Sequence, residues 1–258
     1  MLPSLDRLKA PYPKGSPATH TDPPVSLLDS FIDAAYASGT VSDADGGEMD
    51  LGATSIERPA GEALRDLAVS EGASQTIEVG LALGMSALFL CQAVLRVDPD
   101  GARHVAIDPH QRTDWKGAGL TSLAAAGVDG LVEVIEEESE LALPQLVRQG
   151  RQFDLAFVDG NHRFEGVLLD LVFMDRLVKP GGLIVADDMW MPSVRTAVAY
   201  VERNLDLELE PTAVPDAFSW RRGLRRRRGA PEGSGRMAVL RVPSAPPARP
   251  WDRFDPFV

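Results

Sequence analysis

The chain has 258 residues, a formal net charge of −12 and 44% hydrophobic residues; this suits one α/β domain with extensions and argues against a general nucleic-acid coat. No apolar run approaches the roughly 18 residues that a membrane span needs, and Met1–His20 lacks the basic-then-apolar order of a secretory leader. Cys91 is the single cysteine, so no internal disulfide forms, and the expected compartment is the cytoplasm.

Residues 1–53 read as a proline-rich arm followed by a helix, a cap over a substrate site and a contact for a second copy, with a homodimer expected. Ser26 to Asp29 resembles a capping box, and Leu28, Phe31, Ile32 and Ala35 fall on one helical face. Gly39 stops that helix, residues 40–53 read as an acidic loop, and a second helix runs from Glu57 to Glu71 with Gly72 as its end signal. From Gln75 short apolar runs alternate with helical segments. Strands are predicted at Thr76–Val79, His104–Ile107, Leu131–Ile135, Phe153–Val158 and Leu183–Ala186. Helices are predicted at Ser86–Arg96, Trp115–Ala126, Leu141–Gln149, Phe164–Val178 and Ser193–Asn204. Such alternation implies parallel pairing with right-handed crossovers. Leu205–Pro211 and Met237–Val242 lack a helix between them and predict an antiparallel hairpin at the sheet edge. The fold expected for residues 54–242 is therefore α/β, a Rossmann-like doubly wound sheet of seven mostly parallel strands. Residues 243–258 form a proline-rich tail.

In such a sheet, ligands bind beyond the carboxyl ends of the strands, where strand order reverses. The first core strand runs into Glu78-Val79-Gly80-Leu81-Ala82-Leu83-Gly84-Met85-Ser86. Gly80 and Gly84 permit a tight turn and a close backbone approach, and the helix beginning at Ser86 offers N–H groups to an anion. Ala82 stands where a dinucleotide turn has its middle glycine, which weighs against a nicotinamide dehydrogenase, and the Lys-Ser/Thr of a P-loop is absent. The second strand ends in Asp108, a carboxylate that accepts hydrogen bonds from ribose hydroxyls or else caps the next segment. Ser139, after the third strand, meets an adenine edge or serves as a helix cap.

The fourth strand ends in Asp159-Gly160-Asn161-His162 and the fifth in Asp187-Asp188. Adjacent strands lie about 5 Å apart, so three carboxylates converge on one end of the cleft. A hard divalent cation such as Mg²⁺ relieves their repulsion; the alternative is that they cap turns and helices. His162 beside them is a candidate proton acceptor for a substrate hydroxyl, the alternative being an ordinary loop histidine.

Together, Glu78–Ser86, Asp108, Phe153–His162 and the stretch from Lys179-Pro180-Gly181-Gly182 to Asp187-Asp188 resemble the class I S-adenosylmethionine (SAM)-dependent methyltransferases. The likeness is to small-molecule O-methyltransferases of the catechol and macrocin type, in the bacterial branch with Asp-Gly-x-His after strand four. It covers residues 54–242. It implies SAM as cofactor, with Glu78, Gly80, Gly84 and Ser86 around its methionine end, Asp108 on the ribose, Ser139 near the adenine and Asp159 beside the cofactor. It implies Asp159, Asp187 and Asp188 as ligands of Mg²⁺ and a small-molecule acceptor. The catechol enzymes have Asn where Asp188 stands, as the macrocin type does not, and Lys where His162 stands.

Two further readings remain at this level. The cluster Arg221, Arg222 and Arg225–Arg228 would suit a tRNA O-methyltransferase on the same fold. The fold also suits a SAM-binding regulatory protein without catalysis.

Overall fold

The computed structural model describes residues 24–52, 54–210, 237–245 and 254–256. The proline-rich arm before Pro24, the arginine cluster Arg221–Arg228 and most of the tail lie outside the described residues.

Helix α1 (Pro24–Ser38) leads into a small hairpin of β1 (Thr40–Ser42) and β2 (Glu48–Asp50), then α2 (Arg58–Ser70). The core follows as β3 (Gln75–Val79), α3 (Met85–Val97), β4 (Arg103–Ile107), α4 (Ala118–Ala125), β5 (Val132–Ile135), α5 (Ser139–Arg148), β6 (Phe153–Val158), α6 (Phe164–Leu177), β7 (Val178–Ala186), α7 (Pro192–Asn204), β8 (Glu208–Leu209) and β9 (Ala238–Arg241). The seven-stranded sheet has the order β5-β4-β3-β6-β7-β9-β8. Strands β3 to β7 pair in parallel, β9 runs antiparallel to β7, and β8 antiparallel to β9. Strand order reverses between β3 and β6, and this reversal places the functional cleft.

Side chains on a strand alternate between faces, and this alternation divides the interior in two. Leu155, Phe157, Leu183 and Val185 face a cluster with α1 to α4, built on Leu28, Leu64, Leu88 and Phe89. Ile77, Val79, Ala156, Val158, Ile184 and Ala186 face a second cluster with α5 to α7, built on Leu143, Leu171, Met174 and Val198. A pair of polar residues interrupts the first face of β3. Thr76 and Glu78 are fully buried there beside His104 of β4, with Thr76 Oγ1 2.9 Å from His104 Nδ1 and His104 Nε2 3.3 Å from Glu78 Oε1.

Differences from the sequence reading have local causes. Residues 40–53 contain the β1–β2 hairpin, whose loop is drawn together by Asp43 Oδ1 accepting the Asp45 and Gly47 N–H groups at 3.0 and 2.6 Å. Helix α4 starts at Ala118 and not Trp115, because Lys116 and Gly117 both have positive φ. Strand β7 begins immediately after α6 and includes the Lys179–Gly182 stretch, longer than the predicted Leu183–Ala186. The C-terminal hairpin is fastened by Arg241, which reaches Glu210 at 2.5 Å, Glu71 at 2.9 Å and the Gly181 carbonyl at 2.8 Å. No helix among the described residues is long and apolar enough to cross a membrane.

Candidate active site

The turn after β3 is shaped by its backbone. Gly80 has φ +97, and a Cβ there would collide with the carbonyl oxygen of Asp159. Gly84 has φ +89 and caps α3 from a left-handed conformation, packed close to Gly119 and Ser122 of α4. Ala82, with φ +45, is held in the same region without being glycine.

Asp108, at the end of β4 and 4% exposed, anchors this turn. Its Oδ2 accepts the Leu81 N–H at 3.1 Å and the Ala82 N–H at 2.7 Å, and its Oδ1 accepts the His110 N–H at 2.8 Å. The fully buried Gln111 donates from Nε2 both to the Ala82 carbonyl at 2.8 Å and to Asp108 Oδ2 at 3.2 Å. The carboxylate and the glycine turn are therefore one rigid unit.

A cavity of 570 Å³ opens over the ends of β3, β4 and β6. Gly80, Ser86, Asp108 and Ser139 line it, as do Asp159, His162 and Asp188 at the other end. Trp115 and His110 add to the wall, and Thr54, Ser55 and Ile56 reach it from the segment before α2. Glu78 and Gly84 do not line it. Glu78 points from β3 into the α1–α4 side, beneath the turn, and Gly84 is spent on the α3–α4 contact.

At the acidic end, His162 Nε2 lies 2.5 Å from Asp188 Oδ2 and 3.5 Å from Asp159 Oδ1. Hydrogen bonds to Asp159 and then Asp188 push the imidazole pKa up to about 10, against a smaller opposing effect of burial. One ligand atom each from Asp159, His162 and Asp188 lie within 4.8 Å of one another, the spacing of a cation site. Asp187 is not part of this group. It is 2% exposed and absent from the cavity wall, and its Oδ1 accepts the Asp188 N–H at 2.7 Å. That bond sets the backbone of Asp188, whose φ is +55. The structure thus brings together Asp159, Asp188 and the predicted base, with the third aspartate behind them.

Sequence reasoning passed over Gln111, Trp115 and Trp190. Gln111 had a usable signal, an amide three residues after the strand-end acid. Trp190 is 61% exposed, and its Nε1 donates to Asp188 Oδ1 at 2.8 Å.

Residues 77–189 match the family model of a methyltransferase domain. A putative caffeoyl-CoA O-methyltransferase of Arabidopsis thaliana is 31% identical over 156 residues, 54% of this chain and 62% of that protein. Tricin synthase 2 of Oryza sativa subsp. japonica is 31% identical over 147 residues, 55% of this chain and 48% of that protein. The chain therefore spans less than two thirds of the length of either curated relative. Among solved structures, the O-methyltransferase TomG from Streptomyces achromogenes, involved in tomaymycin synthesis and determined with SAM, superposes with a TM-score of 0.57. The two are 20% identical, and the match covers 84% of this chain and 90% of that one. Residues 77–189 thus resemble a methyltransferase domain, and the fold of the described residues is one shared with the O-methyltransferase TomG.

Proposed function

We propose that the protein is a SAM-dependent methyltransferase that transfers a methyl group to a hydroxyl of a small molecule, with Mg²⁺ at the acidic end of its cavity. The observation that supports this best is the layout of the cavity itself. A glycine turn, a strand-end carboxylate and Ser139 stand at one end, and Asp159, His162 and Asp188 at the other.

SAM brings a sulfonium methyl that is already activated, so the protein's task is orientation. Gly80 lets the backbone approach the cofactor, and the N-terminus of α3 at Ser86 suits its carboxylate. Asp108 Oδ2 is taken up by the turn and by Gln111, while Oδ1 accepts only the His110 N–H, which leaves a lone pair there for a ribose hydroxyl.

The donor set fits a divalent cation. The Asp159 and Asp188 carboxylates, which converge with His162 within 4.8 Å, would hold the ion while His162 stays free of it, and Asp187 fixes the backbone that presents Asp188. Such a cation lowers the pKa of a bound hydroxyl. His162 keeps its proton at Nε2 while both carboxylates face it; relieved of them, the same nitrogen is placed to accept the proton of the acceptor hydroxyl. Trp190 offers a flat apolar face beside the cluster, which suits an aromatic acceptor. The likeness to a caffeoyl-CoA O-methyltransferase agrees with that choice.

Calorimetry with SAM and its demethylated product S-adenosylhomocysteine (SAH), followed by methyl transfer to a panel of catechols with Mg²⁺ or chelator, tests the proposal. SAH binding and chelator-sensitive transfer are expected. Tight NAD binding without SAM binding would overturn it.

A further inference from the structure

Arg163 follows His162 in the chain and lines the same cavity, at its acidic end. Four acids line that cavity, Asp108, Glu138, Asp159 and Asp188, and among the described residues Arg163 is its single arginine or lysine. The backbone of Arg163 is set: its N–H donates to Asn161 Oδ1 at 3.0 Å, and it stands at the N-cap of α6 with φ −74 and ψ 144. Its side chain is exposed, and among the described residues its guanidinium makes no hydrogen bond or ion pair. Other cations of the molecule are engaged. Arg195 donates to the Met189 and Trp190 carbonyls, Arg112 is held by Glu136, and Lys179 by Asp154.

Local structure does not account for a cation at this position. A helix N-terminus carries partial positive charge, so the dipole of α6 opposes an arginine there. Nor does the side chain cap the helix, as a serine or aspartate would. What the position suits is an anion on a ligand in the cavity. A guanidinium presents a planar fork that pairs with a carboxylate through two parallel hydrogen bonds. Along the rest of the wall the acids repel such a group, so the arginine also dictates which way round an anionic ligand enters. Arg163 and His162 are adjacent, with about 3.8 Å between their Cα atoms, which suits a ligand whose carboxylate and hydroxyl are carried on one ring.

We propose that Arg163 determines acceptor specificity: it pairs with a carboxylate on the acceptor and so turns the acceptor's hydroxyl toward Asp159 and Asp188. The inference rests on the reading that the cavity takes SAM and a hydroxylated small molecule, and it assigns that molecule to the aromatic hydroxy acids. It differs from a solvated surface arginine, whose loss would leave acceptor choice untouched.

The test uses the full chain saturated with SAH and Mg²⁺, and two probes of one shape, 3,4-dihydroxybenzoate and its uncharged amide, 3,4-dihydroxybenzamide. Affinities are measured by calorimetry at about pH 7.5, where the benzoate is ionised. The unmodified protein should prefer the benzoate by about fivefold or more, as a charge-assisted pair at a partly open site allows. Arg163→Gln should bring the two probes within about twofold and leave SAH affinity unchanged. Arg148→Gln, at the exposed end of α5 and away from the cavity wall, removes the same charge and should keep the preference. Unchanged preference in Arg163→Gln overturns the proposal, as does an equal loss in Arg148→Gln, which would assign the effect to net charge. Equal binding of the two probes by the unmodified protein removes the role of Arg163 and leaves the hydroxylated acceptor standing. Binding of neither probe to the SAH complex overturns both, and absence of SAH binding overturns the cofactor reading underneath them.

Discussion

His162 Nε2 lies 2.5 Å from Asp188 Oδ2, and the same nitrogen is 3.5 Å from Asp159 Oδ1. Two acids thus share one imidazolium. The folded-state pKa is raised from 6.5 to about 10, so the pairing stabilises the fold fully below about 6.5 and that contribution is lost as pH rises through about 10. In a titration followed by NMR, without added metal, the His162 ring should titrate above pH 9. Asp188→Asn should bring the midpoint down toward the ordinary range. Saturating Mg²⁺ should also lower it, since a divalent ion on the same carboxylates repels the imidazolium. A midpoint indifferent to Asp188→Asn would show that Asp188 does not hold the ring's proton.

Asp108→Ala should weaken SAH binding by about 1.5–3 kcal/mol, the range for hydrogen bonds to a charged group. Part of this loss comes from the turn, because Asp108 also holds the Leu81 and Ala82 N–H groups. Gln111→Leu, which removes the second tie between turn and acid, should cost less, about 1 kcal/mol. Calorimetry on the two variants separates these contributions. Equal losses would mean that Asp108 acts only through the turn.

The buried Asp170 gives a stability signature of its own. Its folded-state pKa is raised from 3.8 to about 7. A raised carboxyl contributes stability that is present in full below 3.8 and lost as pH rises through about 7. Asp170→Asn removes that loss. The variant's melting temperature should therefore gain on the unmodified protein between about pH 5 and about pH 8.5. A difference that stays flat across this interval would place the titration elsewhere.

Gly61 of α2 sits against the ring of Phe89 on α3, and a Cβ there would overlap the ring. Gly→Ala in a helix normally gains about 1 kcal/mol. Forcing a methyl into a packed core costs about 1–3 kcal/mol, and Phe89 is only 1% exposed, with little room to yield. Gly61→Ala should therefore lower stability in urea titrations, by up to about 2 kcal/mol. A stabilised variant would show that the α2–α3 interface relaxes freely.

The core strands were legible because their signals are local. Leu155 to Val158 and Leu183 to Ala186 are apolar runs with buried faces on both sides, and both are strands. The β1–β2 hairpin was not legible, since Thr40–Ser42 and Glu48–Asp50 are too short to show a period. The hairpin is recognisable only through Asp43, whose hydrogen bonds close the loop between the two strands. The cleft residues Gly80, Ser86, Asp108 and Ser139 followed from strand ends and spacing, and they share one cavity wall. What spacing does not specify is where a side chain turns. Asp187 and Asp188 are neighbours in sequence, but consecutive residues diverge, and a left-handed backbone at Asp188 sends that carboxylate alone to His162. Glu78 was read as a cofactor contact for the same reason; the strand's alternation aims it instead at His104.

Gly80 and Asp159 meet main chain to main chain, and Gly160 leaves room for Val79 on the same seam. The boundary between the end that would hold the methyl donor and the end that would hold its recipient is thus peptide backbone, with no side chain to trim or enlarge. Under the proposed function, the reach of the transferred carbon is set by the sheet itself. Drift in the residues around Trp190 or ahead of α2 would retune which molecules are accepted while leaving that reach untouched. Divergent substrate choice on a constant donor geometry then follows from the partition, and the seam glycines are the positions where exchange should be least tolerated.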